Sequence, residues 1–191
     1  MDLANFTVIY DACVLYPAPL RDLLVRLALT KQFRARWTNR IQHEWVNALL
    51  QNKPELSKER LENTVHLMNR AVPDCLVEGY ESIIDGLTLP DPEDRHVLAA
   101  AIRAGAEVIV TMNHKDFPPE ELSKYDIFCL HPDDFIMDLV DLRPAIVTAV
   151  VKQQRADLEN PPYNPDEFVE SLRRQGLPAT AAFLESEIDL I

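Results

Sequence analysis

Apolar residues along this chain change their period several times, and each change predicts an element. Phe6 to Tyr10, FTVIY, is an unbroken apolar and β-branched run, as a buried strand requires. Past Pro17 and Pro19, LRDLLVRLALTKQF sets its apolar residues at helical spacing. TNRIQHEWVNALLQN repeats that spacing, with Thr38 or Asn39 as its cap, and stops before Pro54. Ser57 opens a third helix, SKERLENTVHLMNRAV, closed by Pro73. Residues 74 to 89 give mixed signals, a short strand and then a helical turn. A helix follows from about Pro92 to Ala104, with Gly105 as its stop. EVIVTM and DIFCL read as two more strands, and a helix capped near Asp133 comes next.

Strands alternating with helices predict an α/β fold with a mostly parallel sheet, occupying residues 1–140. From 141 to 191 the strand signal disappears. LRPAIVTAVVKQQRADL, ENPPYNPDEF and VESLRRQGLPATAAFLESEIDLI read as two or three helices around a proline-rich link. The expected organisation is therefore one α/β unit with a C-terminal helical extension.

Composition narrows the setting. Apolar residues make up 47% of the 191, enough for one sizeable core, and no apolar run reaches the roughly 20 residues that span a bilayer. The opening, MDLANFTVIYDACVLYP, is acidic and lacks the basic start of a signal peptide. Cys13, Cys75 and Cys129 are odd in number and scattered, which predicts reduced thiols, a cytoplasmic location and no zinc site. Net charge is −12, from 31 acids against 19 bases, which argues against a protein that merely coats nucleic acid.

Several acids stand where solvated ones should not. In open parallel α/β sheets, ligands bind beyond the carboxyl ends of the strands. Asp11 directly follows FTVIY, and Asp116 lies four residues after Met112 in the loop leaving EVIVTM. Glu44 sits three residues after Ile41 and four before Ala48, on the apolar side of its helix, with Arg40 or His43 as its nearest partners in sequence. Asp94 heads the stripe Val97, Leu98, Ala101 and Ile102. Its neighbour Asp91 is the natural cap before Pro92, so Asp94 is spare. Carboxylates brought together would repel and take up protons unless a cation compensates, and an all-oxygen set suits Mg²⁺ or Mn²⁺. Such a site orients a phosphate and activates a water.

The segments VIYDACVLYP, EW in the second helix, and DPEDRHVLAAAIRAGAEVIVTMNHKDFP, in that order, resemble PIN-domain ribonucleases, including the VapC toxins of toxin–antitoxin modules. The resemblance covers roughly residues 5 to 135. It implies a three-layer α/β/α fold and an acidic pocket holding Mg²⁺ or Mn²⁺. It also implies endonucleolytic hydrolysis of single-stranded RNA, a small antitoxin protein as partner, and a homodimer. Position by position, Asp11, Glu44, Asp94 and Asp116 match the catalytic acids, with Asp11, Asp94 and Asp116 as metal ligands. Thr111 and Asn113 match the small polar positions that support the metal, and Asp91 or Glu93 is the assisting acid. The extension departs from a minimal member of the family, and lid, antitoxin-docking and dimer roles are all open to it.

An acidic pocket must be approached by RNA over basic residues. The densest basic run is KQFRARWTNR, which nominates Arg34, Arg36 and Arg40, with Phe33 and Trp37 interleaved as stacking platforms. Arg21, His43, Arg95, His96, His114 and Lys115 are further candidates. Two rival classes remain: a non-catalytic PIN-like binding module, and a receiver-like signalling domain. The second needs an acid pair at the first strand and a lysine after a later one; only Asp2 precedes the strand, and Lys115 comes late.

Overall fold

The computed structural model describes residues 6–159 and 161–191. The acidic opening, with Asp2, and residue 160 of the proline-rich link lie outside the described residues. The chain builds four parallel strands: β1 (Thr7–Tyr10), β2 (Arg34–Arg36), β3 (Val108–Val110) and β4 (Phe128–Leu130), in the order β2-β1-β3-β4. Ile9 is level with Arg36 on one side and Ile109 on the other, and Val110 is level with Leu130. β1 is buried along its whole length because strands flank it on both edges and helices cover its faces.

Between β1 and β2 run α1 (Ala12–Leu15) and α2 (Ala18–Leu29). The sequence predicts a helix reaching Phe33, but α2 stops four residues earlier. Lys31 takes a left-handed backbone, φ 60°, which turns the chain into β2. β2 itself escapes sequence reading because it is only three residues, RAR, with Ala35 alone turned inward. Arginines on such an edge strand discourage pairing with another sheet. Phe33 and Trp37 are core residues, 3% and 0% exposed, so neither ring is available for stacking on a base.

α3 (Asn39–Asn52) is capped by Thr38, whose Oγ1 accepts from the Ile41 amide at 3.0 Å, and α4 (Lys58–Ala71) by Ser57. The ambiguous segment makes one bridge, Trp37 with Leu76, and one helical turn, α5 (Glu81–Ile84). Pro92–Asp94 forms a 3₁₀ turn leading into α6 (Arg95–Ala104). Asp91 caps that turn and Gly105, φ 59°, ends the helix in the left-handed conformation glycine tolerates. Ala99, Ala100 and Ala101 are fully buried, which lets α6 lie close against β1 and β3.

After β3 the chain makes a 3₁₀ turn at His114–Asp116 and the short α7 (Pro119–Leu122) before β4. Four α-helices follow among the described residues, α8 (Pro132–Leu142), α9 (Pro144–Ala156), α10 (Pro165–Arg174) and α11 (Pro178–Ser186), each beginning on proline, and then a 3₁₀ turn at Ile188–Leu190. α9 packs on α2, α11 on α8, and α10 on α11. Residue 140 falls inside α8, and Phe135 of that helix packs edge-on against Tyr10 and Phe33. One apolar core runs from β1 through Phe168, Leu172, Leu177 and Leu184 to Ile191. The cap of α8 is His131, whose Nδ1 accepts from the Asp133 amide at 3.2 Å. Asp133, expected near that cap, instead turns its carboxylate to α11.

The tight seat of α6 is testable. Ala100→Leu has nowhere to place its added carbons and should destabilise the protein by about 1–3 kcal/mol in urea unfolding with an unchanged m-value.

Candidate active site

Asp11 is the first residue past β1, and its amide still donates to Val110 O at 3.1 Å, so the ladder delivers it to the carboxyl end of the sheet. There it caps α1. Its Oδ1 accepts from the Ala12 amide at 2.6 Å, and its Oδ2 accepts from Thr111 Oγ1 at 2.7 Å and Cys13 Sγ at 3.1 Å. Thr111 is the matching residue past β3 and is fully buried. Its hydroxyl lies 3.1 Å from Cys13 Sγ and accepts from the Asn113 amide at 3.0 Å, while the Met112 amide donates to Cys13 Sγ at 3.2 Å. Cys13 thus laces the end of β1 to the loop leaving β3. Burial, and then the Asp11 charge, push its thiol up to about 12, so it stays a protonated donor. Sequence reading used this cysteine only as a sign of compartment; its place two residues after Asp11 was the available signal.

The opposite wall comes from α3 and the start of α6. Glu44 Oε1 accepts from Arg40 Nε at 3.0 Å and from His96 Nε2 at 3.0 Å. Burial draws the Glu44 carboxyl upward, but the His96 and Arg40 hydrogen bonds and charges outweigh it and hold the group below its usual range. Arg40 also reaches Glu93 Oε2 at 2.9 Å. Of the partners expected for Glu44, Arg40 is present and His43 is exposed; His96 fills the place instead.

Asp94 stands between these walls. Burial first, then the fields of Asp11, Asp116, Asp91 and Glu44, push its carboxyl up to about 7. A set of carboxylates that raises one member so far behaves as a single negative pocket. Asp116 is turned onto the side-chain amide of Asn113. Asp91 is exposed and occupied with the Glu93 amide at 2.8 Å. Among the described residues, no three His, Cys, Asp or Glu side chains are placed to hold a metal ion together. The acids are oxygen donors of the kind hard divalent cations take, but their side chains do not converge into a cage.

The basic candidates separate. Arg40 and His96 both touch the acidic cluster through their side chains, and of the two Arg40 is the more exposed. Arg34 and Arg36 lie along the outer edge of β2, Arg34 level with the start of β1 and so about 13 Å from the Asp11 end. Arg21 and His96 are corrected outright, being 9% and 1% exposed. Arg21 donates to Leu15 O and Tyr16 O and lies over the Trp45 ring, 4.3 Å from its centroid.

The PIN-domain model matches residues 7–115, more than half of the chain, and the chain belongs to that family. The VapC50 C-terminal domain model matches residues 132–186, the stretch from the start of α8 to the end of α11. A protein of Mycobacterium tuberculosis named "Putative ribonuclease VapC50" is 42% identical over 104 residues, which cover 54% of this chain and 60% of that one. No solved structure matches.

Two measurements probe the pocket. The stability tied to the Asp94 proton is fully present below about pH 4 and is lost as pH rises through about 7. Metal-free protein should therefore gain from Asp94→Asn at pH 8, by about 3 °C in melting temperature, and little at pH 5. Cys13→Val strips a donor from Asp11 and a partner from the Met112 amide, and should cost about 1–2 kcal/mol in urea unfolding; Cys13→Ser should cost less.

Proposed function

We propose that the chain is a metal-dependent endoribonuclease that hydrolyses phosphodiester bonds of single-stranded RNA, and that it is the toxin of a toxin–antitoxin pair. The observation that carries this is the gathering of Asp11 at the end of β1, Glu44 of α3, Asp94 ahead of α6 and Asp116 past β3, near enough to one another that burial and their charges raise the Asp94 carboxyl to about 7. Membership of the PIN family and likeness to a protein named as a ribonuclease support the same reading. The matched stretch is 60% of that relative's length, so its activity reaches this chain as part of the proposal.

Asp11, Asp94 and Asp116 would hold Mg²⁺ or Mn²⁺, which supplies charge stabilisation at the phosphate oxygens and acidifies a water. Asp11 is ready for that role, because Thr111, Cys13 and the Ala12 amide already fix its carboxylate. Asn113 holds Asp116, and Asp91 adds negative field from the rim. Glu44, kept ionised by Arg40 and His96, takes up a proton poorly, so it suits orientation of the attacking water more than its deprotonation. Arg40 is the first cation RNA would meet at the pocket, with Arg34 and Arg36 farther along the β2 edge.

The same reading carries a nuclease unit at residues 1–140, a helical extension at 141–191, a small antitoxin partner, a homodimer and a cytoplasmic site of action. No helix among the described residues is long and apolar enough to cross a membrane.

An RNA panel tests the assignment. Asp11→Asn and Asp94→Asn should each lower cleavage by about 100-fold or more with an unchanged circular dichroism spectrum. EDTA should abolish wild-type cleavage and Mn²⁺ restore it. RNA binding without metal-dependent cleavage would point to a non-catalytic binding module instead.

A further inference from the structure

We propose that the α10–α11 pair is a positioning device for the carboxylate of Asp116, with Asp133 as the residue that fastens it. α11 begins on Pro178, and the preceding Leu177 offers no side-chain cap. The cap arrives from 46 residues away: Asp133 Oδ2 accepts from the Ala179 amide at 2.8 Å. Asp133 Oδ1 accepts from the Thr180 amide at 2.8 Å and from Thr180 Oγ1 at 2.7 Å. Asp133 is 5% exposed, so a buried carboxylate and a helix N-terminus satisfy each other across the join.

Asp133 stands in the first turn of α8, just past the carboxyl end of β4. Fastening α11 there holds the turn between α10 and α11 against that end of the sheet. Gly176, φ 83°, lies in that turn, and a Cβ on it would lie 3.9 Å from Met112 Cε and 4.0 Å from His131 Cε1. Met112 opens the loop that carries Asn113 and Asp116. His131 stacks on His114, the first residue of the turn that ends at Asp116, with centroids 6.1 Å apart. Phe117, 1% exposed, pins the far end of the loop in the core, while residues 113–115 are exposed. The exposed stretch is therefore held on one side by Phe117 and on the other by groups that rest on the helix pair. Asp116 hangs from this stretch through the Asn113 carbonyl, 3.2 Å from its amide, and the Asn113 side chain.

This rests on the nuclease reading in one respect, the use of Asp116 as a metal ligand. A purely architectural helix pair would lower stability when loosened and leave metal affinity alone. Mn²⁺ affinity of the full chain, measured without RNA by the spin-resonance signal of free Mn²⁺ and well below the unfolding temperature, separates the two. Asp133→Asn should weaken Mn²⁺ binding by about tenfold, within the range of coupling carried through a chain of packed side chains. Asp116→Asn should weaken it at least as much, and the double variant should bind no worse than Asp116→Asn alone. Thr180→Val, which removes one of the three donors, should weaken binding by about threefold, and it carries the comparison if Asp133→Asn does not fold. Wild-type affinity in whichever variant folds, or losses that multiply in the double variant, would overturn the proposal. Asp116→Asn binding Mn²⁺ as the wild type does would sink the metal assignment itself, and this inference with it.

Discussion

Mutual repulsion among carboxylates gathered at the ends of the central strands is the constraint around which the rest of this molecule is arranged. Each acid meets it differently. Glu44 is matched by Arg40 and His96, Asp11 by neutral donors from Thr111, Cys13 and its own helix, and Asp116 by Asn113. Asp94 lies in the field of all of them and absorbs the remaining strain as proton affinity. Neutral donors fix a carboxylate's position without cancelling its charge, whereas a guanidinium would cancel it. Asp11 is fixed in the first way and Glu44 in the second, and that difference divides their chemical roles.

Holding like charges together requires a scaffold that does not relax. β1 supplies it, buried and hydrogen-bonded on both edges, with Asp11 and Thr111 as the last rungs of neighbouring ladders. The extension belongs to the same scaffold. Its apolar residues join the one core, and its α11 is capped from α8. The C-terminal helices thus act on the pocket from the β4 side while α3 and α6 act on it from the other.

Most of this was legible in the sequence wherever one element carries a strong period. FTVIY, the helices starting at Thr38 and Ser57, and the Asp91–Pro92 start with its Gly105 stop all appear within a residue or two of their expected places. β2 was not legible, because three residues with a single inward alanine leave no period to read. The burial of Phe33 and Trp37 was hidden for the same reason, since their alternation with arginine fits a core edge as well as a binding surface. The acids stood out because carboxylates at strand ends and on apolar helix faces conflict with their surroundings. His96 and Asp133 did not, because each acts through a partner about 45 to 55 residues away in the chain, and no local pattern encodes that; Cys13, two residues after Asp11, did carry a local signal.

The arginine-edged strand limits how two copies can meet. Joining two β2 edges into one continuous sheet would set like guanidinium charges from both molecules along a shared seam. Placing arginines along an edge strand is a known way of discouraging such edge-to-edge pairing.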